Sequence, residues 1–440
     1  MPTAEFSLDA YRDWLHKGLG RAVLATTPER AQALRPILLD ACLHNRAYES
    51  RCERSRAPWM LSMLHRTEDL AHYARQLCLG MKTVGDDDDG AQLVHLAALL
   101  VLQGFDELAP LVREALALHP DSWWFGRKEQ VLIDGLDGLV RVAEYVGARL
   151  LAGEQDSESE WLIDELSPTV GRDVVMERLE TEAESSPAVA HYLFETANGR
   201  EREEARKARH GGGARWATLA EVEALLRADG KEWYLRRIGR RMPDELALEM
   251  SARLAAERDD DMLFRYLILF GSRVIPECPE RVWDLARGAA PRLQHAALDA
   301  LELSTDPRRA SLARELLAAD PGVVVRGVLP LLRAGTPEDA ALVLDGLAAV
   351  SVRDADDLHR IQLYLGSLVN ERSPVMTAEL ARWGYEHGPC GLCRVEFVRR
   401  LIELDALDPA RREECARDVD EEVRMLVTNP PLPHAEEDRC

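Results

Sequence analysis

The sharpest chemical signal in the sequence is His387-Gly-Pro-Cys390-Gly-Leu-Cys393, which sets one imidazole and two thiols at three-residue intervals around Gly and Pro. That spacing offers Zn²⁺ three soft ligands, with Cys415 as a distant fourth. A Cys-x-x-Cys pair can also cycle between thiol and disulfide, but that use belongs to a βαβ setting, and the sequence has no strand pattern. A firm zinc assignment needs a second pair, and there is none. The plainer expectation is a turn between helices over 381–386 and 392–404, with small thiols packed as hydrophobes and no bound metal or cofactor. His65, Glu68 or Asp69, and His72 share one face if 65–72 is a single helix, and they form a second candidate metal set or a wet charged face.

Binding chemistry has two candidate locations. Trp123, Trp124, Phe125 and Arg127 make the richest aromatic cluster, and Trp and Arg are enriched at interface hot spots. Trp123, Trp124 and Arg127 are therefore the candidate anchor for a protein partner, against the alternative of a hydrophobic plug between helix pairs. Just beyond, Asp134 and Asp137 would serve acid/base work only in an apolar cleft, and Gly135 and Gly138 point instead to close helix packing. The second location is basic. Lys231, Arg236, Arg237, Arg240 and Arg241 oppose only Glu232 within 231–241, so Arg236, Arg237, Arg240 and Arg241 are candidate nucleic-acid contacts or a solvated helix face. A Gly-rich phosphate loop, a nucleophile elbow, zincin spacing and a dinucleotide turn are all missing, which favours a non-catalytic reading.

These residues must be positioned by helices. Eight times a Ser, Thr or Asp precedes Pro ahead of an amphipathic stretch, at Pro28, Pro168, Pro187, Pro307, Pro321, Pro337, Pro374 and Pro409. A small polar N-cap accepts orphan backbone N–H groups, and Pro at the next position gives up a donor the helix does not use. In the first half, helices are expected over 8–17, 28–45, 67–79, 92–103, 107–118, 128–151, 170–184 and 187–197. The acidic run 85–90 is expected to be a loop, because adjacent carboxylates repel. Further on, Pro307 aligns with Pro337, Ala310 with Ala340, Leu312 with Leu342 and Leu317 with Leu347, always at an offset of 30 residues. His295 and Leu298 align with Arg326 and Leu329 at an offset of 31, so one unit holds two helices. Val324, Val328, Leu331 and Leu332, and then Leu358, Ile361, Leu365 and Leu368, mark apolar stripes that neither helix can bury alone.

Asp320 to Leu329 and Asp420 to Leu426 each place an acidic turn residue before a Val-Arg pair that opens a second helix. On those residues the chain resembles the HEAT-repeat family, and the short unit is similar to the repeats of bacterial HEAT-like proteins. The likeness runs from about Val282 to Val427. It implies an all-α fold, an α-solenoid of stacked antiparallel helix pairs, and structural roles for Arg326 and Arg424 as partners of turn carboxylates in adjacent repeats. Tyr48, Arg51, Glu53, Arg56 and Trp59 resemble an N-terminal segment of the same proteins, a likeness that transfers no mechanism. The expected organisation is an irregular helical region over 1–197, a charged and Gly-rich linker over 198–214, HEAT-like repeats over 215–428 and a disordered tail over 429–440.

The totals narrow the partners. Over 440 residues, 77 Asp and Glu outweigh 55 Lys and Arg, a formal charge of −22 that repels phosphate backbones and anionic membranes. Eight Cys, irregularly spaced, fit reduced thiols better than a disulfide framework. The longest apolar run, Leu96 to Leu102, is far short of the ~18 residues of a membrane span. The first residues lack a signal-peptide pattern and Cys440 lacks a prenylation box, so a cytoplasmic protein is expected. Together these features point to a scaffold or regulatory subunit that holds another protein on a solenoid surface. Two alternatives rest on the resemblance. HEAT-like alkylpurine DNA glycosylases imply nucleic-acid binding or base excision through 200–241. Phycobilin lyases, which carry short HEAT-like repeats, imply a metal- or tetrapyrrole-associated accessory protein entered at Cys390 and Cys393.

Overall fold

The computed structural model describes residues 6–50, 53, 55–83, 85, 88–118, 126–154, 160–211, 218–228, 232–288, 290–349 and 354–428, the side chains of 200–211 excepted. Among them there are α-helices, short 3-10 helices and no β-strand, so the protein is all-α. In chain order the helices are α1 Leu8–Lys17, α2 Gly20–Ala25, α3 Ala31–Leu43, α4 Arg56–Arg66, α5 Leu70–Gly80, α6 Asp88–Val101, α7 Ala109–Leu118 and α8 Arg127–Leu151. They continue with α9 Glu160–Val170, α10 Arg172–Ala183, α11 Pro187–Gly211, α12 Leu219–Arg227, α13 Glu232–Arg241, α14 Asp244–Ala256, α15 Asp260–Phe270 and α16 Glu280–Gly288. The remainder are α17 Pro291–Leu301, α18 Arg308–Ala319, α19 Asp339–Ala349, α20 Ala355–Asn370, α21 Ala378–His387, α22 Gly391–Glu403, α23 Pro409–Cys415 and α24 Glu421–Thr428. The chain divides into two compact units, one of 1–213 with 410–440 and the other of 214–409.

In the first unit, local rules set the helix ends. Ser7 caps α1 by accepting from the Ala10 N–H, and Tyr11, Trp14 and Leu15 bury the face that this start defines. The acidic run is not all loop: Asp88 and Asp89 open α6, where carboxylates complement the helix dipole. Asp89 accepts from the Asn45 N–H at 2.5 Å, and Asp88 accepts from the Ser50 hydroxyl at 2.5 Å. Pro168 lies inside α9 rather than starting a helix, and α11 runs on through the charged stretch to Gly211, where a linker was expected from 198. The tail 429–440 lies outside the described residues. Helices α23 and α24, which the sequence places among the repeats, belong to this unit. Here Trp59 Nε1 donates to the Arg417 carbonyl at 2.9 Å, Ser55 Oγ to that of Val419 at 2.6 Å, and the Val419 N–H to that of Gly18 at 2.9 Å.

The second unit is a run of packed neighbours. Helix α13 packs on α15, α15 on α17, α17 on the 3-10 segment Pro321–Arg326, that segment on α20, and α20 on α22. A second set, α14, α16, α18, α19 and α21, packs against members of this row. Asp259 caps α15 and Asp354 caps α20, each accepting N–H groups of the first turn. Val324, Val328, Leu331 and Leu332 are buried as their spacing requires. They do not form an α-helix: Pro321–Arg326 and Leu329–Ala334 are 3-10 segments broken at Gly327, whose φ of +92° suits only glycine. Arg326 pairs with Asp320 of its own turn at 2.6 Å, and Arg424 donates to the carbonyls of Asp418 and Val419, so neither reaches a turn carboxylate of a neighbouring repeat.

Candidate functional site

A groove of about 450 Å³ opens along the row α13, α15, α17 and α20. Four arginines, Arg236, Arg292, Arg326 and Arg360, line it against three carboxylates, Glu232, Asp299 and Asp357. Each arginine is steered by its own element and by one or two partners. Arg236 pairs with Asp299 at 2.6 Å and donates to the Gly271 carbonyl at 3.2 Å. Arg292 lies over the Phe264 ring at 3.8 Å and reaches Asp261 at 2.9 Å. Arg360 pairs with Asp357 at 2.6 Å, while Arg326 also bonds Gln294. The exposed pairs of Arg292 and Arg360 hold each other by only ~0–1 kcal/mol, so an incoming carboxylate competes on even terms there. At the groove floor His295 Nε2 shares a hydrogen bond of 3.2 Å with the Tyr364 hydroxyl. Burial pushes the His295 pKa down and the Tyr364 pKa up, so both groups stay neutral near pH 7. Helix α13 also leaves Trp233 59% and Tyr234 40% exposed, their rings 5.7 Å apart.

The thiol pair stands elsewhere in the same unit. Cys390 is the N-cap residue of α22 and Cys393 lies in its first turn, where backbone N–H groups and the helix dipole favour a thiolate. The Cys393 Sγ lies 3.5 Å from His359 Nε2 on α20. The Cys390 thiol is drawn down to about 4, first by its hydrogen bond with Cys393 and then by His359, against an opposing cost of burial. His359, Cys390 and Cys393 present ligand atoms within 4.8 Å of one another, and they are the one such group among the described residues. The expected histidine was different. His387 ends α21 exposed, its ring 4.9 Å from that of Trp383, and it is not in the cluster. Nothing local in the sequence marks His359, which arrives from a helix that begins 35 residues before Cys390.

The remaining sequence-derived sites separate. Trp123 and Trp124 lie outside the described residues. Arg127, at the start of α8, is fully buried at 0% exposure and cannot anchor a partner; its aliphatic stem and planar head fill the interior instead. His65 and His72 stand on different helices, because the backbone breaks over 67–69 with Glu68 at φ +57°. Asp69 is taken up by Arg35 at 2.5 Å. Asp134 is held ionised by Arg113, at 2.8 Å, and by Arg141, so Asp134 and Asp137 form no acid/base pair. Gly138 packs closely on the Gln130 backbone as the sequence reading expects, whereas Gly135, at φ +57° with open space where a Cβ would stand, breaks α8 into two helices. Of the four basic candidates only Arg236 enters the groove, while Arg237, Arg240 and Arg241 are exposed. No described helix is long and apolar enough to cross a membrane. Comparison of the chain with protein-family models, with curated proteins and with solved structures returned no match.

Proposed function

We propose that the protein is a non-catalytic scaffold or regulatory subunit, a short-repeat HEAT-like α-solenoid over most of 215–409 that grips an acidic segment of a partner protein. The carrying observation is the arginine-lined groove along α13, α15, α17 and α20. In a chain of net charge −22, a concave lining where arginines outnumber carboxylates favours an anionic ligand over a neutral one. The solenoid reading is supported by helix-to-neighbour packing and by the 30-residue offset, since stacked pairs generate such a groove. Trp233 and Tyr234, large exposed rings on the helix that supplies Arg236, offer an anchor beside the groove. Residence in the cytoplasm fits the six described cysteines, none of which is in a disulfide.

The test is fluorescence anisotropy of a labelled Glu/Asp-rich peptide with the full-length protein. Binding should weaken with salt, and Arg292→Glu with Arg360→Glu should weaken it by more than roughly tenfold, since two reversed contacts cost about 1 kcal/mol or more each. The melting temperature should hardly change. An unaffected double variant refutes the groove. Duplex DNA bound in preference to the peptide, and lost on Arg237→Glu with Arg240→Glu, promotes the nucleic-acid reading.

A further inference from the structure

We propose that His359, Cys390 and Cys393 form a Zn²⁺ site of two sulfurs and one nitrogen, with a fourth coordination position open to solvent. The ligand geometry matches the ion. Around tetrahedral zinc, with Zn–S of about 2.3 Å and Zn–N of about 2.0 Å, a sulfur and a nitrogen ligand stand about 3.5 Å apart. Cys393 Sγ and His359 Nε2 are 3.5 Å apart, and all three donor atoms fall within 4.8 Å of one another. An ion therefore enters with little side-chain movement. Two soft sulfurs and an imidazole also select zinc over magnesium or calcium, which take oxygen.

The site is held by groups that do not bind metal. Gln362, one turn along α20 from His359 and fully buried, donates from Nε2 to the Cys390 carbonyl at 3.1 Å and accepts at Oε1 from the Cys390 N–H at 3.1 Å. One helix thus supplies the imidazole and, three residues on, a two-point clamp on the backbone that carries the thiols. The clamp requires glycine at 388, because a Cβ there would overlap the Gln362 amide. A turn that served only to join α21 to α22 has no need of a buried amide fixed at both ends.

Exposure defines the fourth position. Cys390 is 1% exposed, while His359 and Cys393 are half-buried, so the cluster reaches the surface on their side. Among the described residues no further His, Cys, Asp or Glu joins the three. Two cysteines and one histidine with an open position are a donor set in which water or a small ligand completes the tetrahedron.

Co²⁺ titrated into the reduced, chelator-stripped full-length protein is the direct probe. The expected result is thiolate-to-cobalt charge transfer in the near ultraviolet with the intense visible bands of a tetrahedral site, both displaced by Zn²⁺. Cys390→Ser with Cys393→Ser should abolish them. His359→Ala should weaken binding by more than the roughly 10–100-fold that loss of an outer-shell partner costs, while His387→Ala should leave it unchanged. Metal-free melting curves separate a lost ligand from a lost fold, and His359→Gln is read in the same assay if the alanine variant melts early. Added imidazole should shift the visible bands, and failure to do so removes the open position. Absence of bands in the unaltered protein overturns the site, as do bands that survive the double serine variant or dependence on His387 in place of His359. A Cys390–Cys393 disulfide that persists in mild reductant and excludes cobalt also overturns it.

Discussion

The two units use arginine in opposite ways. In the first, some arginines are drawn inward where segments distant in sequence meet. Arg56 is 4% exposed, pairs with Glu53 at 2.8 Å and donates to the carbonyls of Leu15 and His16, at the open end of α1, while Arg21 reaches Glu414 at 2.6 Å. In the second, arginines bridge neighbouring helices at the surface: Arg292 to Asp261, Arg308 to Glu280, Arg314 to Asp339. Arg394, fully buried, is the exception there. The contrast separates two sources of order. The first unit depends on a long-range closure by 410–428, whereas the second adds up contacts between neighbours and leaves its cations at the surface, where a ligand can reach them.

The largest effect should come from undoing that closure. Deleting 410–440 removes the acceptors of Trp59 Nε1 and Ser55 Oγ and uncovers Gly18 and Gly20. Hydrogen exchange should show protection lost across 8–66 and retained across 260–400. Equal loss in both would break the division into two units. Arg56→Ala comes next. Removing one partner of a buried pair takes the Arg56 countercharge from Glu53 and the guanidinium donor from the α1 carbonyls, at a cost of about 3–5 kcal/mol in chemical denaturation. A loss below 1 kcal/mol would place Arg56 with the surface arginines of the second unit.

Much of the fold was legible because it is local. Helix α1 begins and ends as its cap and stripe require, and the stripe over 358–368 buries Ile361, Leu365 and Leu368. What local rules missed was decided by partners. The 200–211 charge run looked like a linker, yet it continues a helix already nucleated by Val189 and Tyr192 packing in the core. The 321–334 stretch has helical spacing, but Gly327 and Pro330 favour 3-10 turns over an α-helix. For the metal cluster, Cys390 and Cys393 were visible as a pair, and the nearest histidine in sequence was the wrong one. Packing of α20 against α22 selects His359, and no spacing rule encodes that contact. Arg127 beside an aromatic run had the composition of a hot spot, but composition does not report burial.

A middle-sized effect sharpens the comparison through pH. Arg314 holds the Asp339 carboxyl below the usual carboxylate range, and Asp339 also accepts from the Thr336 N–H at 2.8 Å. A depressed folded pKa contributes stability that is present above the unfolded value, about 3.9, and fades as pH falls through the folded one. Asp339→Asn should therefore cost about 1–2 kcal/mol at pH 7, with the difference from the unaltered protein vanishing in acid. A difference that persists undiminished in strong acid would mean that packing, not charge, makes Asp339 matter.

The smallest effect belongs to Arg308, although it has several partners. It meets Asp306 at 2.9 Å and Glu280 at 2.8 Å, and its guanidinium lies 4.4 Å from the centroid of the Trp283 ring. A count of contacts would not set it far below Arg56. Its side chain is 48% exposed, so water screens both pairs and replaces them when they are cut. Asp306 also keeps its bond to the Arg308 backbone N–H, at 2.8 Å, whatever side chain stands there. Arg308→Ala should thus hardly change stability, and less still in high salt. A salt-insensitive loss near that of Arg56→Ala would show that the Trp283 stacking, not the ion pairs, carries Arg308, and that burial alone does not separate the two units' arginines.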